Sequence, residues 1–581
     1  MTRESIAEVL ENIATLLELK GENHFKTRAY RNGAEVVISF AGDFVQLAKD
    51  DDLKGIKGIG AALAQKIHEL ASTGKLEYYE NLRADFPDGI FELFEIQGLG
   101  AKKIKALHDE LGVGNIADLK RVCESGEAAQ LAGFGAKSIE KILAAIEFNE
   151  ANASLFRLGT VAAPATEILE LLRGLPEVTQ ASTAGSYRRG KEILHDLDFI
   201  VATKEPEVVM DAFVNMRGVA SVSVHGATKS SVFLESGVQC DLRAVSTEEY
   251  PFAMAYFTGS KEHNVAMRSR ALKRGYTLNE YRIAPVEGRE KDCTPLSVSE
   301  FNDESDIYAA LDLEFVPPAL RENHGEIEAA EAEGLPKLLE LENLRGTFHN
   351  HTTASDGKAS LEEMAQAAQE LGLQYLGIAD HSKSSFQANG LDEDRLLEQL
   401  DQIDSLNREF DGDFKLFAGT EVDILKDGSL DFDDEILEQL DYSVASVHNS
   451  FTLSEDDMTK RIICAIENPF VTMIGHLTGR LLLKRDPYAV NVPKIIDAAA
   501  ANGTIIELNA NPWRLDMDWR WWKLAKEKGV LCAINPDAHS TDGLQALHFG
   551  VLQARKGWLT REDVVNCLPL AEVEAALAVK R

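Results

Sequence analysis

The first twenty residues, MTRESIAEVLENIATLLELK, space their apolar positions as a helix does and carry acids throughout. A shorter pattern then recurs three times, as IKGIGAALAQKI at 56–67, IQGLGAKKIKAL at 96–107 and LAGFGAKSIEKIL at 131–143. Each copy places a hydrophobic residue and Gly-x-Gly at the opening of an apolar-periodic helix. Gly58, Gly60, Gly98, Gly100, Gly133 and Gly135 allow a tight turn and a close backbone approach. The amides at each helix N-terminus are thereby left free for a phosphate oxygen.

Residues 151–250 read as mixed helix and strand. The stretch HDLDFIVAT at 195–203 alternates and then turns apolar, so Asp196 and Asp198 project from one face of a strand. A second apolar stretch ends in GVQCDLRAV at 237–245, whose Asp241 is placed to bring a third carboxylate from an adjacent strand. Three hard oxygen donors at one point suit two magnesium ions about 3.5–4 Å apart. Just upstream, GSYRRG at 185–190 supplies a Gly-Ser phosphate cradle.

The segment FVPPALRENHGEIEAAEAEGLPK at 315–337 is Pro-rich and then acidic. It predicts a solvated helix or tether, with a domain boundary near 340. From 345 onward short apolar strands alternate with amphipathic helices: YLGIADH, FKLFAGTEVDI, YSVASVHNS, VTMIGHL, TIIELNA and VLCAINPDAH. Almost every strand ends in a potential metal ligand. Parallel βα units place such ends on one rim, gathering His349, His351, Asp356, His381, Glu421, His448, His476, Asp537 and His539. A histidine-rich set favours zinc, manganese or iron over magnesium. Arg480 and Arg514 are candidate phosphate clamps. Trp519, Trp521 and Trp522 read as core, with base stacking the alternative.

Composition narrows the class. The chain has 581 residues, 45% hydrophobic and 27% charged, which excludes disorder and allows several cores. No apolar run is long enough to span a membrane, and a cytoplasmic enzyme is expected. Cys123, Cys240, Cys293, Cys464, Cys532 and Cys567 lack CxxC spacing, so buried apolar thiols are expected. The net charge of −35 runs against the basic surface usual for a nucleic-acid partner. Metal ligands and acidic segments carry negative charge, however, while backbone amides can hold phosphates.

The repeated Gly-x-Gly pattern resembles the helix-hairpin-helix motif, which implies binding to DNA backbone without reading of sequence. FKTRAYRNGA at 25–34 and GIGAALAQKIHELASTGKLE at 58–77 resemble the lyase domain of the polymerase-beta group. That resemblance puts Lys66 where a lysine forms a Schiff base with an abasic sugar. Lys26 and Arg31 are candidate neighbours to lower its pKa, and Ala62 replaces a basic residue of the family. Gly185, Ser186, Arg188, Arg189, Gly190, Asp196 and Asp198 match the nucleotidyltransferase signature of the X family of DNA polymerases, with His195 departing from it. The resemblance implies that Ser186 and Arg189 contact the triphosphate, Asp196 and Asp198 bind two Mg²⁺, and Asp241 accepts the primer hydroxyl proton. YFTGSKEHNVAMRSRALKRGYTLNEY at 256–281 resembles the family thumb. There Tyr256, Phe257 and Gly259 would lie along the sugar, Asn264 would reach the base, and Arg268 the template side.

The C-terminal pattern resembles the polymerase-and-histidinol-phosphatase (PHP) family, a distorted (βα)7 barrel with two or three Mn²⁺, Zn²⁺ or Fe²⁺ ions. In that family Glu421 would bridge two ions, with His349, His351 and Asp537 on one side and His448 and His476 on the other. Asp356, His381 and His539 would form a third site. The expected architecture is therefore multidomain: a helical lyase-like domain at 1–85, helix-hairpin-helix fingers at 86–150, a palm at 151–250, a thumb at 251–318, a linker at 319–344 and the barrel at 345–581. The expected protein is a monomer that fills gapped or nicked DNA with dNTPs and trims 3′ ends. Two alternatives stay open: a PHP-type phosphatase, or a non-catalytic DNA-end scaffold.

Overall fold

The computed structural model of the chain describes residues 1–40, 43–288, 296–410, 412 and 414–578. Cys293, expected to be a buried thiol, lies outside them. Of the other cysteines, four are buried and Cys464 is exposed, a departure from the expectation that all would be core residues. The chain folds as two compact units, Met1–Ala153 and Ser154–Arg581.

The first unit is helical throughout. Its hydrophobic core runs without a break from Ile6 to Ile146, so the stretches 1–85 and 86–150 share one interior. The three repeats fold alike. Gly58, Gly98 and Gly133 take φ of +93°, +90° and +89°, the left-handed region that only glycine enters cheaply. Gly60, Gly100 and Gly135 then cap Ala61–Thr73, Ala101–Leu111 and Ala136–Asn152, none with a side-chain hydrogen bond. A Cβ on any of these three capping glycines would meet nothing within 4 Å, so the ground before each helix is open.

The second unit begins with a five-stranded sheet in the order Val178–Thr183, Asp196–Thr203, Gln239–Val245, Lys229–Leu234, Val219–His225. Asp196–Thr203 alternates in burial at its start and is buried after it, as the sequence pattern predicts. It runs parallel to Gln239–Val245, and the register sets Asp198 directly beside Asp241.

The helices Tyr250–Thr258, Lys261–Lys273 and Glu304–Ala310 follow. Their core takes in Leu320, Ala330 and Leu338 from the acidic segment expected to be a solvated tether. That segment is packed instead. Arg321 is fully buried and bonds Glu304 at 2.6 Å, and Glu326 is fully buried against His263 at 2.7 Å. Of its acids, Glu326 partners a buried imidazole and Glu322 the cations Arg189 and Lys556, whereas Glu328, Glu331 and Glu333 are exposed as the composition predicts.

The last part of the unit is a ring of short parallel strands. Gly346–Thr347, Tyr375–Ile378 and Lys415–Ala418 form one ladder, and Glu421–Asp423, Val444–Ser446, Met473–Ile474, Ile505–Asn509 and Cys532–Asn535 form the other. Lys415–Ala418 and Glu421–Asp423 are consecutive pieces of one strand path, which makes seven positions around the ring. Parallel bridges His381↔Glu421 and Asn350↔Ala538 join the ladders, giving the distorted barrel. Inside it, Gly377 and Gly419 leave room for Tyr442, since a Cβ on either would come within 2.5 Å of its ring or hydroxyl.

If the 319–344 segment is structural, Arg321→Met leaves Glu304 buried with one cation fewer and lowers stability by roughly 3–5 kcal/mol. Denaturant unfolding of the full chain measures this, and an unchanged midpoint would mean the segment is a tether after all.

Candidate active sites

Two clusters of chemistry-bearing side chains occupy the second unit. In the palm, Asp196 and Asp198 leave the same face of their strand and Asp241 faces them from the next. Burial and the neighbouring Asp196 and Asp241 push the Asp198 carboxyl up to about 7. Asp196 is also raised, by burial and by Asp241. Asp241 goes the other way: burial opposes ionisation, but hydrogen bonds from Gln239, Ser231 and Lys229 outweigh it. Three carboxylates that repel one another this way are a site short of positive charge.

Gly185 opens the one-turn helix Gly185–Arg188, and a Cβ there would sit 2.0 Å from an Asp198 oxygen. The glycine is therefore what lets this turn lie against the acids. Ser186 is half-buried on the same turn and His195 is exposed. Arg189 is held by Glu322 at 3.0 Å and donates to the Thr258 carbonyl at 2.5 Å. Arg188 bonds Thr258 and Glu304. From the thumb, Phe257 packs under Arg243 at 4.3 Å, beside the strand position of Asp241. Asn264 donates to the Tyr256 carbonyl at 2.7 Å, and both line a small cavity with Met267, Arg268 and Asn279.

In the first unit, Lys66 is partly buried with its ammonium 4.7 Å from the Tyr78 ring centre. Arg31 is turned toward Glu18 at 2.6 Å, and Lys26 toward Glu22 at 3.4 Å. Its close aromatic company, Tyr30 and Tyr78, was not anticipated from sequence.

The barrel cup is built from the C-terminal ends of its strands, as the βα pattern requires. Glu421, 1% exposed, lies at its centre. His381 Nδ1 is 2.8 Å from its carboxylate, His476 Nε2 3.0 Å, His448 Nε2 3.2 Å, His349 Nε2 3.3 Å and His351 Nε2 3.8 Å. Asp537 stands 3.2 Å from His351, and Asp356 is 3.3 Å from His539 and 3.7 Å from His381. Three groups of ligand atoms are compact enough to hold a cation: His351, Asp356, His381 and His539; His349, His351 and Glu421; and His381, Glu421 and His448. The grouping shares His351 and His381 between sites, where the family resemblance assigned each to one. Buried donor atoms here, including Glu421 Oε2 and His381 Nδ1, form no well-made hydrogen bond among the described residues. Buried polar atoms left so are rare, and a donor set of this kind fits divalent metals.

The electrostatics follow from burial opposed by charge. Burial would raise Glu421, but His448, His349 and His381 hold it well below the usual carboxylate range. Burial lowers His448, yet Glu421 and Asp423 carry it up to about 10. His351 falls to about 4 through burial and the neighbouring His539 and His381. His476 and Asp537 adopt φ of +22° and +53°, conformations that cost energy and tend to be kept where function needs them.

Several residues at this site escaped the sequence reading. Glu507, fully buried, accepts from His349 Nδ1 at 2.7 Å and from the His476 amide at 2.6 Å. Asp423 accepts from His448 Nδ1 at 2.9 Å. A signal existed for both: Glu507 is a lone acid inside the apolar strand Ile505–Asn509, and Asp423 is two residues from Glu421 and so on its face. Arg514 reaches Asp537 at 3.4 Å. Arg480 is instead locked, bonding Asp518 at 2.7 Å and the Arg514 carbonyl at 2.9 Å. Trp519 and Trp522 are core residues and Trp521 is partly buried, whereas Trp513 is exposed.

A palm and thumb joined to a metal-binding barrel define a nucleotidyltransferase coupled to a hydrolase. The chain matches the helix-hairpin-helix domain over residues 1–76, the SAM-like helix-hairpin-helix tandem over 90–147, the DNA polymerase beta thumb over 253–322 and the PHP domain over 347–511. It is 39% identical over 579 residues to the DNA polymerase/3′-5′ exonuclease PolX of Bacillus subtilis, covering 99% of each chain. A probable phosphatase of Thermoanaerobacter is 29% identical over 229 residues, 38% of this chain and 88% of that one. DNA polymerase lambda of Arabidopsis thaliana is 25% identical over 308 residues, 48% of this chain and 54% of that one. The chain belongs to the bacterial-type X-family DNA polymerases that carry a C-terminal PHP domain. It is an enzyme, a DNA polymerase with an associated PHP-type hydrolase domain.

Because Glu507 fixes the tautomer of His349, Glu507→Gln lowers the metal affinity of the barrel by roughly 10–100-fold. Metal retained after dialysis against a competing chelator measures the loss. Retention equal to the native protein would remove Glu507 from the site.

Proposed function

We propose that the palm fills short gaps in DNA by template-directed addition of dNTPs, and that the barrel removes nucleotides from 3′ ends as a 3′–5′ exonuclease or phosphoesterase. The observation that carries the reading is the pairing of two complete acidic centres on one unit: Asp198 beside Asp241 in register, and Glu421 among five imidazoles. Gapped or nicked duplex is the substrate, held by the three glycine hairpins through its backbone. The chain acts as a monomer.

In the palm, Asp196, Asp198 and Asp241 would hold two Mg²⁺. In the barrel, Glu421 with the surrounding histidines, Asp356 and Asp537 would hold two or three Mn²⁺, Zn²⁺ or Fe²⁺. When bound, such cations lower the pKa of an attacking oxygen and neutralise charge on the phosphates. The chain's own residues do the rest. Asp241, kept ionised by Gln239, Ser231 and Lys229, accepts the proton of the primer 3′-hydroxyl. Ser186 and Arg189 orient the triphosphate, and Tyr256, Phe257 and Gly259 lie along its sugar. Asn264 and Arg268 contact the base and the template side. In the barrel Arg514, at the rim beside Asp537, binds the phosphate to be cleaved. Lys66 is the amine that would form a Schiff base with a 5′-deoxyribose phosphate, at the entry to the gap.

The two activities separate by mutation. Asp198→Ala abolishes primer extension on a one-nucleotide gap and spares 3′ shortening, whereas His349→Ala with His351→Ala does the reverse. Extension and shortening on the same labelled primer are followed with either Mg²⁺ or Mn²⁺ present. Parallel loss of both activities in either folded variant would contradict two independent centres.

A further inference from the structure

The loop that carries Ser186 and Arg189 is held by the barrel. Lys556 is 1% exposed and its Nζ donates to the Arg189 carbonyl at 3.2 Å, and Gln553 Nε2 donates to the Gly190 carbonyl at 2.7 Å. Both side chains lie on one barrel helix, Leu547–Lys556. Farther along the loop, Glu192 accepts from Trp519 Nε1 at 3.2 Å and from Arg520 at 3.3 Å. A helix of one turn, such as Gly185–Arg188, has little stability of its own. Its position is set by what grips its ends.

The charges add a second link. A single oxygen of Glu322 accepts from Arg189 Nε at 3.0 Å and from Lys556 Nζ at 2.5 Å. For Arg189 to turn toward a triphosphate it must leave Glu322, and a largely buried carboxylate left with no cation at all is costly. Lys556 keeps that carboxylate paired.

We propose that Lys556 is a positioning residue for nucleotide binding in the palm: the barrel ammonium holds Glu322 so that Arg189 is free to engage the triphosphate. This rests on the reading of Arg189 as a triphosphate contact, and it makes the hydrolase barrel part of the polymerase's nucleotide site. Gln553 fixes the neighbouring peptide for the same purpose.

The test is steady-state gap filling by the full-length chain with dNTP varied, alongside 3′ shortening and DNA affinity. Lys556→Met raises the dNTP KM about tenfold, with kcat, shortening and DNA affinity changed less than about twofold. Lys556→Arg keeps the native KM. The double variant Lys556→Met/Glu322→Gln returns the KM to within about threefold of native, because the carboxylate that restrained Arg189 is then neutral. An unchanged KM in Lys556→Met, a matched fall in extension and shortening, or a double variant as impaired as the single one would each overturn the proposal. Asp198→Ala is run in parallel. If that variant still extends primers, the palm reading itself fails, whatever Lys556 does.

Discussion

Burying a carboxylate with no partner costs several kcal/mol or more, and the barrel buries that of Glu421 completely, at the point where five histidine nitrogens converge. The rest of the barrel is arranged around this constraint. Glu507 and Asp423 bond the far nitrogens of His349 and His448, so each ring presents its other nitrogen to the centre. Asn509 and Asn535 in turn donate to Glu507. The positive backbone angles at His476 and Asp537 persist inside this frame. A fold that assembles so many titratable groups in one cup is stable only when the charges are balanced, and divalent cations would balance them.

The same logic of paired buried charge joins the barrel to the polymerase half. Arg188, Arg189 and Arg321 meet Glu304 and Glu322, and Lys556 completes the seam from the barrel side. Apolar packing accompanies it: Leu482, Leu515 and Phe549 of the barrel region lie in the palm core, and Trp558 lies in the thumb core. Palm, thumb and barrel consequently form one unit, Ser154–Arg581. The loop around Ser186 is shared property of both catalytic halves, which is why the two activities can reside on one chain without a flexible tether between them.

Much of this was legible in the sequence because the relevant signals are local. A spacing of two on a strand aligned Asp196 with Asp198, and ligands at successive strand ends required a common rim. The glycine hairpins were legible because only glycine takes the backbone angles at positions 58, 98 and 133. What could not be read is long-range pairing. GEIEAAEAEG has the composition of a solvated helix, and nothing in it announces that Glu326 is buried against His263, 63 residues away. Arg480 and Arg514 looked equivalent as phosphate clamps, but tertiary bonds lock the first and leave the second at Asp537. Lys556, with an ordinary helical context, gains its meaning from Glu322, 234 residues earlier in the chain.

The burial of Glu421 implies cations beside it. Anomalous diffraction from crystals of the full chain, collected on both sides of the manganese, iron and zinc edges, tests it most directly. Two or more metal peaks are expected within coordination distance of about 2.0–2.2 Å of Glu421 and the surrounding histidine nitrogens. A cup free of anomalous signal, in protein purified without chelator, would contradict it.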